Sequence, residues 1–333
     1  MKKLKMGVLG CSWHYSLRVA TPLASSHLIE PYGIGSRDLD KAKSYAKRLG
    51  FQKVYGSYEE LLADPVVDFV YCPLPNHMHL EYMKKCADAG KPILCEKPLT
   101  LNAKDAAEAA AYCKEKNVLL MEAFMYRFHP QWVKAAQIAR SGELGTLMST
   151  AGFFSYDNKD GKNIRNIADY GGGGILDIGC YTVSTARLLM QAEPQRVISA
   201  VKWDPVFKTD VLTSALLDFG DGRVSTLTVS TQLFPWQHVR AVGTSGTLAV
   251  EVPFNMYGDI PGRIFVSVGL GPRTIDTEIA DQYLLLFDAF AKAVTDSHSE
   301  APLPISDAIA NMAVLDALFA SAKSGNWENV VKY

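Results

Sequence analysis

The chain has 333 residues, of which 48% are hydrophobic and 21% are charged, and its formal net charge is -1. This length exceeds the range over which one hydrophobic core usually grows, and the composition is that of a globular protein, so two folded domains are expected. Without a basic surplus the chain does not suit a polyphosphate backbone, and nucleic acid is excluded as an expected partner.

The N-terminal segment and the cysteines indicate a cytoplasmic protein. Residues 1–9 contain three lysines and a short apolar run that leads into a glycine turn, which is typical of a first strand and not of a signal peptide. No apolar stretch is expected to reach the length of a membrane span, so no membrane association is predicted. The six cysteines form no Cys-x-x-Cys pair, which favours buried thiols in a reduced compartment.

Short apolar runs and helical patterns alternate through the first third of the chain. Strands are predicted at 5–9, at a run ending at residue 35, and at 66–72, 92–95 and 118–123. Helices are predicted at 17–26, 39–49, 59–63, 80–89 and 103–116. Repeated strand–helix units predict a parallel, doubly wound sheet of the Rossmann type over residues 1–125, the expected dinucleotide-binding domain.

The pattern changes after about residue 125. A helix at 130–140 precedes a strand at 146–156, and a glycine run at 171–174 opens a helix at 175–190. Alternating runs then predict strands at 197–202, 211–219, 224–231, 238–243 and 247–252, before helices at 282–294 and 307–324. Residues 126–333 are therefore expected to form an α+β domain with a large, mainly antiparallel open sheet, used for substrate binding and oligomerisation.

The first strand runs into Gly10, Cys11 and Ser12, where a dinucleotide fold needs small residues. Small residues let the backbone amides at a helix start approach a pyrophosphate. Only Gly10 matches a glycine of the dinucleotide fingerprint, because Ser12 stands at the second position and Tyr15 or Ser16 at the third. Taken alone, the turn is equally consistent with an ordinary strand-to-helix connection.

The second strand ends in Ser36 and Arg37, which favour NADP over NAD. A hydroxyl and a guanidinium suit a ribose 2′-phosphate, whereas NAD sites carry an acidic residue for the 2′-hydroxyl. Asp38 follows, just before a helix, and is predicted to be its N-cap. The alternative for Arg37 is a solvated surface charge.

Polar residues also follow the later strands of the first domain. Pro73, Leu74, Asn76 and His79 lie in the loop that leaves the third predicted strand, so they are expected to face the cofactor. Asn76 is predicted to cap the next helix. The histidines of this loop lack a third ligand motif, so no metal site is predicted.

Charged residues stand at the ends of the last two strands of this domain. Glu96, Lys97 and Pro98 follow one strand and Arg127 follows the other. A charged group at the end of a buried strand is unfavourable unless it is paired or functional. Glu96 is therefore expected to orient Lys97, and Glu96, Lys97 and Arg127 are assigned to the cofactor. Pro98 directs the loop through a bond that is either cis or trans.

Asp177 and Tyr181 lie four residues apart, so they are expected to share one helical face. The glycine run before them lets this helix start pack close to a neighbour or a ligand. In a purely structural alternative, Asp177 pairs with a surface group and Tyr181 fills an interface. Arg165 is assigned to substrate hydroxyls, and Asn166 and His238 are weaker candidates by position.

These motifs together resemble the Gfo/Idh/MocA oxidoreductases, and in particular the branch that contains glucose-fructose oxidoreductase, D-xylose dehydrogenases and dimeric dihydrodiol dehydrogenase. The resemblance covers nearly the whole chain. It depends on the Glu-Lys-Pro sequence at 96–98, the Pro-x-x-Asn-x-x-His loop at 73–79 and the Asp-x-Gly-x-Tyr stretch at 177–181. The chain departs from the usual pattern at Trp13, His14 and Tyr15, which are bulkier than is common in this loop.

The resemblance implies that Lys97, Tyr181 and Asp177 are catalytic, and that Lys97, Arg165, Asp177 and Tyr181 bind substrate. It implies hydride transfer between NAD(P) and a hydroxyl or keto carbon of a sugar or a related cyclic polyol or diol. The charge of Lys97 would favour the tyrosinate form of Tyr181, and either residue is a candidate for the proton transfer. A homodimer formed through the sheet of the second domain is also implied.

Two alternatives to this function stay open from the sequence. One is a dinucleotide-sensing regulatory protein without catalysis, which loss of the lysine or the tyrosine would favour. The other is an enzyme that keeps its NAD(P) tightly bound and recycles it.

Overall fold

The computed structural model describes residues 2–269, 271–296 and 300–333. The chain forms two compact units. Unit 1 consists of Met1–Thr100, Lys104–Met125 and Asp281–Ile309, and unit 2 consists of Leu101–Ala103, Tyr126–Ala280 and Ala310–Tyr333. The predicted single boundary after residue 125 stays a proposal, since the segment Asp281–Ile309 clusters with unit 1.

Unit 1 contains a six-stranded sheet in the order β3-β2-β1-β4-β5-β6, with every neighbouring pair parallel. Its strands are β1 (Leu4–Leu9), β2 (Ile29–Gly35), β3 (Lys53–Tyr55), β4 (Phe69–Cys72), β5 (Ile93–Cys95) and β6 (Leu120–Glu122). Its first helices are α1 (Ala20–Ala24), α2 (Leu39–Leu49), α3 (Tyr58–Ala63), α4 (His79–Asp88) and α5 (Ala103–Glu115). The predicted Rossmann sheet is confirmed. The sequence did not predict β3, because three residues are too few to show a strand pattern.

Local sequence signals account for the ends of these elements. Asp38 caps α2 through a hydrogen bond from the Lys41 amide to its carboxylate, 3.0 Å long, as the sequence predicts. Gly50 ends the same helix. The helix predicted at 17–26 begins earlier, because residues Tyr15–Val19 form a π-helical turn that leads into α1.

Unit 2 contains a nine-stranded sheet in the order β14-β13-β12-β11-β7-β10-β9-β8-β15. Its strands are β7 (Leu147–Asp157), β8 (Arg196–Trp203), β9 (Asp210–Gly220), β10 (Arg223–Ser230), β11 (Gln232–Gly243), β12 (Gly246–Val250), β13 (Arg263–Val268), β14 (Gly271–Asp276) and β15 (Glu328–Asn329). The β7–β10 pair is parallel and the other pairs are antiparallel. The predicted large, mainly antiparallel sheet is confirmed, although β13, β14 and β15 were not predicted.

The remaining helices are α6 (Pro130–Arg140), α7 (Cys180–Met190), α8 (Gln282–Thr295) and α9 (Ile305–Ser324). Within unit 2, α7 packs on β7, β10 and β11 and covers one face of the sheet. Inward side chains therefore alternate with outward ones along each of these strands.

Helix α9 corrects the expectation that no segment is long and apolar enough to span a membrane. Among the described residues it is the one helix that is long and apolar enough to cross a membrane, and half of its apolar stretch is buried inside the protein. Asn311 on α9 donates to the carbonyl oxygen of Cys180 at 3.1 Å, and the Ser199 hydroxyl donates to the Leu318 carbonyl at 2.8 Å. The apolar character of α9 thus serves the core of unit 2.

Candidate active site

The turn after β1 has a backbone that a dinucleotide can approach. Gly10 has a φ of +91°, a conformation that favours glycine, and a Cβ atom at this position would lie 3.1 Å from Leu74 Cδ2, a tight contact that a small shift of the leucine would relieve. The Gly10 amide donates to the Gly35 carbonyl at 2.8 Å, and Ser12 Oγ accepts from the Tyr15 amide at 3.4 Å. The turn carries no side-chain bulk at Gly10, as a pyrophosphate held by backbone amides would require.

The bulky residues of this turn do not fill it. Tyr15 is buried and packs against the ring of Tyr71, with ring centroids 6.0 Å apart. His14 turns toward Glu96, with its Nε2 3.7 Å from the carboxylate, and Trp13 is 64% exposed. The departure from the usual small-residue pattern is therefore accommodated by the core on one side and by solvent on the other.

Ser36 and Cys11 meet at the end of β2. Ser36 is buried, and its hydroxyl accepts from the Asp38 amide at 3.1 Å. Burial raises the pKa of the Cys11 thiol, and a hydrogen bond with the Ser36 side chain opposes that rise. The two predicted cofactor residues thus lie side by side.

Arg37 is exposed at the same strand end, beside Tyr58 of α3. Burial raises the pKa of the Tyr58 hydroxyl, and the hydrogen-bonded guanidinium of Arg37 opposes that rise. Burial and the charge of Arg37 both lower the pKa of His77. The guanidinium is therefore held near the β2 terminus by a tyrosine that the sequence did not point to.

His79 joins the loops that follow β4 and β5. Its ring is fully buried, with Nε2 2.8 Å from the Leu74 carbonyl oxygen and Nδ1 3.0 Å from the Pro98 carbonyl oxygen. Burial lowers the pKa of this imidazole. The prediction that Asn76 caps the next helix is wrong, because a short 3₁₀ turn, Asn76–Met78, intervenes and Met78 occupies the N-cap position of α4.

Glu96 anchors the loop that carries Lys97. Its carboxylate accepts from the Tyr71 hydroxyl at 2.6 Å and from the backbone amide of Lys97 at 3.3 Å. Burial and the carboxylate of Glu96 raise the pKa of Tyr71 well above its ordinary value, so this hydroxyl stays a donor. The Lys97–Pro98 peptide bond is cis, and the Lys97 side chain is half-buried.

Asp177 is the centre of a hydrogen-bonded group in unit 2. Its Oδ2 accepts from the Tyr156 hydroxyl at 2.6 Å and from Arg165 Nε at 2.9 Å. Burial and the carboxylate of Asp177 raise the pKa of Tyr156, and the same carboxylate raises the pKa of Arg165. Both donors therefore stay protonated, and the carboxylate is held in one orientation.

Tyr181 lies one turn after Asp177, in the first turn of α7. Its ring is buried and packs against Phe254, Phe154 and Tyr126, with centroid distances of 5.2, 5.7 and 5.9 Å. The phenol also interacts electrostatically with the guanidinium of Arg165. Aromatic packing thus fixes the ring of Tyr181, and its hydroxyl lies within the electrostatic range of the Arg165 guanidinium.

Three other candidates have different placements. His238 stacks on Phe153 on the sheet face opposite to Phe154 and Tyr181, so its assignment to substrate is wrong. The reason is the two-residue alternation of β7 and β11. Asn166 holds its own loop, since its amide nitrogen donates to the Asp160 carbonyl at 2.9 Å. Arg127 lies in unit 2, in the 3₁₀ turn Met125–Phe128.

Among the described residues, no group of three or more His, Cys, Asp or Glu side chains is arranged to hold a metal ion.

Sequence comparison decides the family. Residues 4–124 match the oxidoreductase family model with an NAD-binding Rossmann fold, and residues 132–249 match the GFO/IDH/MocA C-terminal domain. The chain belongs to the Gfo/Idh/MocA oxidoreductase family. The family predicted from the Glu-Lys-Pro and Asp-x-Gly-x-Tyr motifs is thus confirmed. The chain is an NAD(P)-dependent oxidoreductase.

Relatives match along almost the full length of the chain. An uncharacterized oxidoreductase of Rhizobium meliloti is 39% identical, over 99% of this chain and 100% of the relative. The D-xylose 1-dehydrogenase (NADP(+)) 2 of Haloferax volcanii is 34% identical, over 97% of this chain and 98% of the relative. The crystal structure of KijD10, a 3-ketoreductase from Actinomadura kijaniata in complex with NADP and TDP-benzene, has a TM-score of 0.90 at 30% identity, and covers 96% of this chain and 98% of its own.

Proposed function

We propose that this oxidoreductase transfers a hydride between NADP and a hydroxyl or keto carbon of a sugar or a related cyclic polyol or diol. The observation that carries the proposal is the carboxylate of Asp177, fixed by Tyr156 and Arg165 one turn before Tyr181. An oriented carboxylate suits the hydroxyl groups of such a substrate, since an ionised carboxylate accepts several hydrogen bonds. Relatives named as a D-xylose dehydrogenase and a 3-ketoreductase agree with this substrate class.

The bound nicotinamide would supply or accept the hydride. The protein must then move the hydroxyl proton of the same carbon, and Tyr181 and Lys97 are the proposed catalytic pair, with Asp177 as companion. A neighbouring cation favours the ionised form of a phenol, which is the form that accepts a proton. Lys97, Arg165, Asp177 and Tyr181 are the proposed substrate-binding residues.

The solved forms of KijD10 support the choice of Lys97 and Tyr181. One form carries a substituted lysine and another a substituted tyrosine, and these two residues are separated along that chain by as many positions as Lys97 and Tyr181 are here. Forms of an enzyme are commonly prepared in this way at residues under test for catalysis.

A substrate screen tests the proposal directly. Aldoses, deoxyketosugars, inositols and trans-dihydrodiols would be assayed with NADP and with NAD, following nicotinamide absorbance. Absence of turnover with every one of these substrate classes would contradict the proposed class. Nicotinamide absorbance that copurifies with the protein and does not exchange would favour the alternative of a recycled cofactor.

The proposed cofactor site combines the turn after β1 with residues that follow β2, β4, β5 and β6 along the chain. Its residues are Gly10, Cys11, Ser12, Ser36, Arg37, Pro73, Leu74, Asn76, His79, Glu96, Lys97 and Arg127. Of these, His79 would act by joining two loops, because both of its ring nitrogens face backbone carbonyl oxygens.

Arg37→Ala is expected to weaken NADP binding by about 1.5–3 kcal/mol, the range for a hydrogen bond to a charged group, and to leave NAD binding unchanged. The reason is the placement of Arg37 beside Tyr58 at the end of β2. Dissociation constants for both cofactors measure the effect. Arg48→Ala, which removes an exposed guanidinium from the far end of α2, is the control. Equal losses for NADP and NAD would show that Arg37 does not contact the 2′-phosphate.

We also propose that two copies of the chain associate through the uncovered face of the unit 2 sheet. Trp236, His238 and Phe153 form a cluster of rings on this face, with centroids 4.7 to 5.9 Å apart. Val242 and Phe265 extend the apolar surface and are 47% and 39% exposed. Exposed aromatic and aliphatic side chains grouped on one sheet face in this way favour a surface that a partner covers.

Val242→Glu should convert this dimer into a monomer at micromolar concentration, because it places a charge in the apolar contact. Val133→Glu is the matched control, since Val133 is 46% exposed on α6, away from the open face. Sedimentation velocity distinguishes the two species. An unsubstituted protein that sediments as a monomer at micromolar concentration would refute the proposed dimer.

A cytoplasmic location is proposed from the thiols. Cys11 is half-buried and the other five cysteines are buried, and none of the six forms a disulfide bond in the structure. Such thiols are typical of proteins from a reduced compartment.

A further inference from the structure

Asp210 is a buried carboxylate without a role in the proposed reaction. It is the first residue of β9, and 1% of its surface is exposed. Its Oδ2 accepts from the Ile175 amide at 2.6 Å and from the Thr213 hydroxyl at 3.3 Å. Ile175 begins the π-helical turn Ile175–Gly179, which contains Asp177 and runs into α7. Asp210 therefore ties the sheet to the start of the segment that carries Asp177 and Tyr181.

The glycine run is shaped around this carboxylate. Gly173 has a φ of +113°, and a Cβ atom there would lie 2.0 Å from Asp210 Oδ1. At Gly174 the same atom would lie 3.2 Å from Asp210 Oδ2. Any side chain at position 173 would displace the carboxylate. The close approach of Asp210 is thus one physical reason for consecutive glycines before the turn.

Asp210 also acts on the group that holds Asp177. Burial raises the pKa of Asp210 to about 7, and its bonds from backbone amides oppose that rise. The carboxylate contributes to the raised pKa of Tyr156, the hydroxyl of which donates to Asp177. Asp210 therefore acts on the hydrogen-bonded group around Asp177 in two ways. It binds the backbone amide of Ile175, and its charge acts on the hydroxyl of Tyr156.

We propose that Asp210 is a positioning residue: by holding the Ile175 amide, it sets where residues 177–181 stand. The inference rests on the proposed function, because it takes Tyr181 as a residue that moves the proton. The first amides of a helix lack intrahelical partners, and a carboxylate that accepts from one of them fixes the direction of the chain at that point. A displacement of about 1 Å in a catalytic group can lower turnover about 10²-fold.

Asp210→Ala is expected to lower kcat at least about 10-fold while leaving the Kd for NADP unchanged. Asp210→Asn, which retains an acceptor oxygen, should recover most of that loss. Asp204→Ala is the matched control, because Asp204 accepts from the amides of Val206 and Phe207, at 2.8 and 2.9 Å, in a loop of the same unit outside this turn. Hydrogen exchange should accelerate over residues 175–181 in Asp210→Ala and stay unchanged there in Asp204→Ala.

A mutant cycle separates positioning from general loosening. If Asp210 acts through the turn, Asp210→Ala should lower kcat less in a Tyr181→Phe background than alone. Losses that multiply, an unchanged kcat, or unchanged exchange over residues 175–181 would overturn the proposal. Should Tyr181→Phe alone leave kcat unchanged, the proposed catalytic role of Tyr181 fails, and exchange that accelerates only at 175–181 would still support the positioning role. If Asp210→Ala does not fold, Thr213→Val or Gly173→Ala takes its place in the mutant cycle with Tyr181→Phe, because each of these changes disturbs the Asp210 carboxylate.

Discussion

Tyr181→Phe should lower turnover by about 10²–10⁴-fold, the usual contribution of a general acid–base group. The substitution removes one hydroxyl and keeps the ring that packs on Phe254 and Phe154, so the fold should be preserved. Lys97→Met should produce a loss on the same scale, because it removes the charge at similar bulk. Cofactor binding should largely survive both changes, because Lys97 is only one of the residues proposed to hold the cofactor. Steady-state kinetics over a range of pH, with Kd values for NADP, measure these effects.

The double variant Tyr181→Phe with Lys97→Met should lose less than the product of the two single losses, since groups that act as a unit are not additive. Tyr126→Phe is the control. It also removes a buried hydroxyl, one that bonds Ser184 at 2.6 Å, from a ring that contacts Tyr181. Its effect on turnover should stay below about 10-fold. Near-normal turnover of Tyr181→Phe at every pH would make Tyr181 a packing residue and leave the proton to Lys97 or to a water.

The fold could be predicted well wherever the signal is local. The N-cap at Asp38, the helix end at Gly50 and the strand–helix alternation of unit 1 each depend on a few neighbouring residues. Elements with weak local signals were not predicted. The three-residue β3 shows no pattern, and the helix predicted at 17–26 gave no sign of the π-helical turn Tyr15–Val19.

The candidate site shows the same division. The segment with Asp177 and Tyr181 was predicted from its motif, but its partners Tyr156 and Arg165 lie 21 and 12 residues from Asp177 along the chain. The partner of Ile175, Asp210, is 35 residues away. Which strand residue faces a helix depends on how the strands are aligned with one another across the sheet. A single sequence does not determine that alignment. His238 was misplaced for the same reason, because one step along β11 exchanges the two faces.

The second large effect is expected at the ion pair that orients Asp177. Arg165→Gln removes the guanidinium whose Nε lies 2.9 Å from Asp177 Oδ2 and leaves a carboxylate that is largely buried. Removing one partner of a buried pair lowers the free energy of unfolding by about 3–5 kcal/mol, and the lower end applies because the Arg165 side chain is 30% exposed. Turnover should fall as well, since the carboxylate loses its orientation. Urea unfolding and steady-state kinetics measure the two effects.

The controls for this prediction separate charge, geometry and direct substrate contact. Tyr156→Phe removes the other donor to Asp177 and should cost about 1.5–3 kcal/mol of unfolding free energy, because it deletes one hydrogen bond to a charged group. Arg165→Lys keeps the charge without the planar guanidinium and should fall between Arg165→Gln and the unsubstituted protein. Combining Arg165→Gln with Asp177→Asn should destabilise less than the sum of the single changes, because no uncompensated charge remains. If Arg165→Gln instead raised KM with kcat and stability unchanged, the lost interaction would be one that binds the substrate and the transition state equally well. Arg165 would then contact the substrate directly, as the sequence predicts, and Asp177 would be oriented mainly by Tyr156.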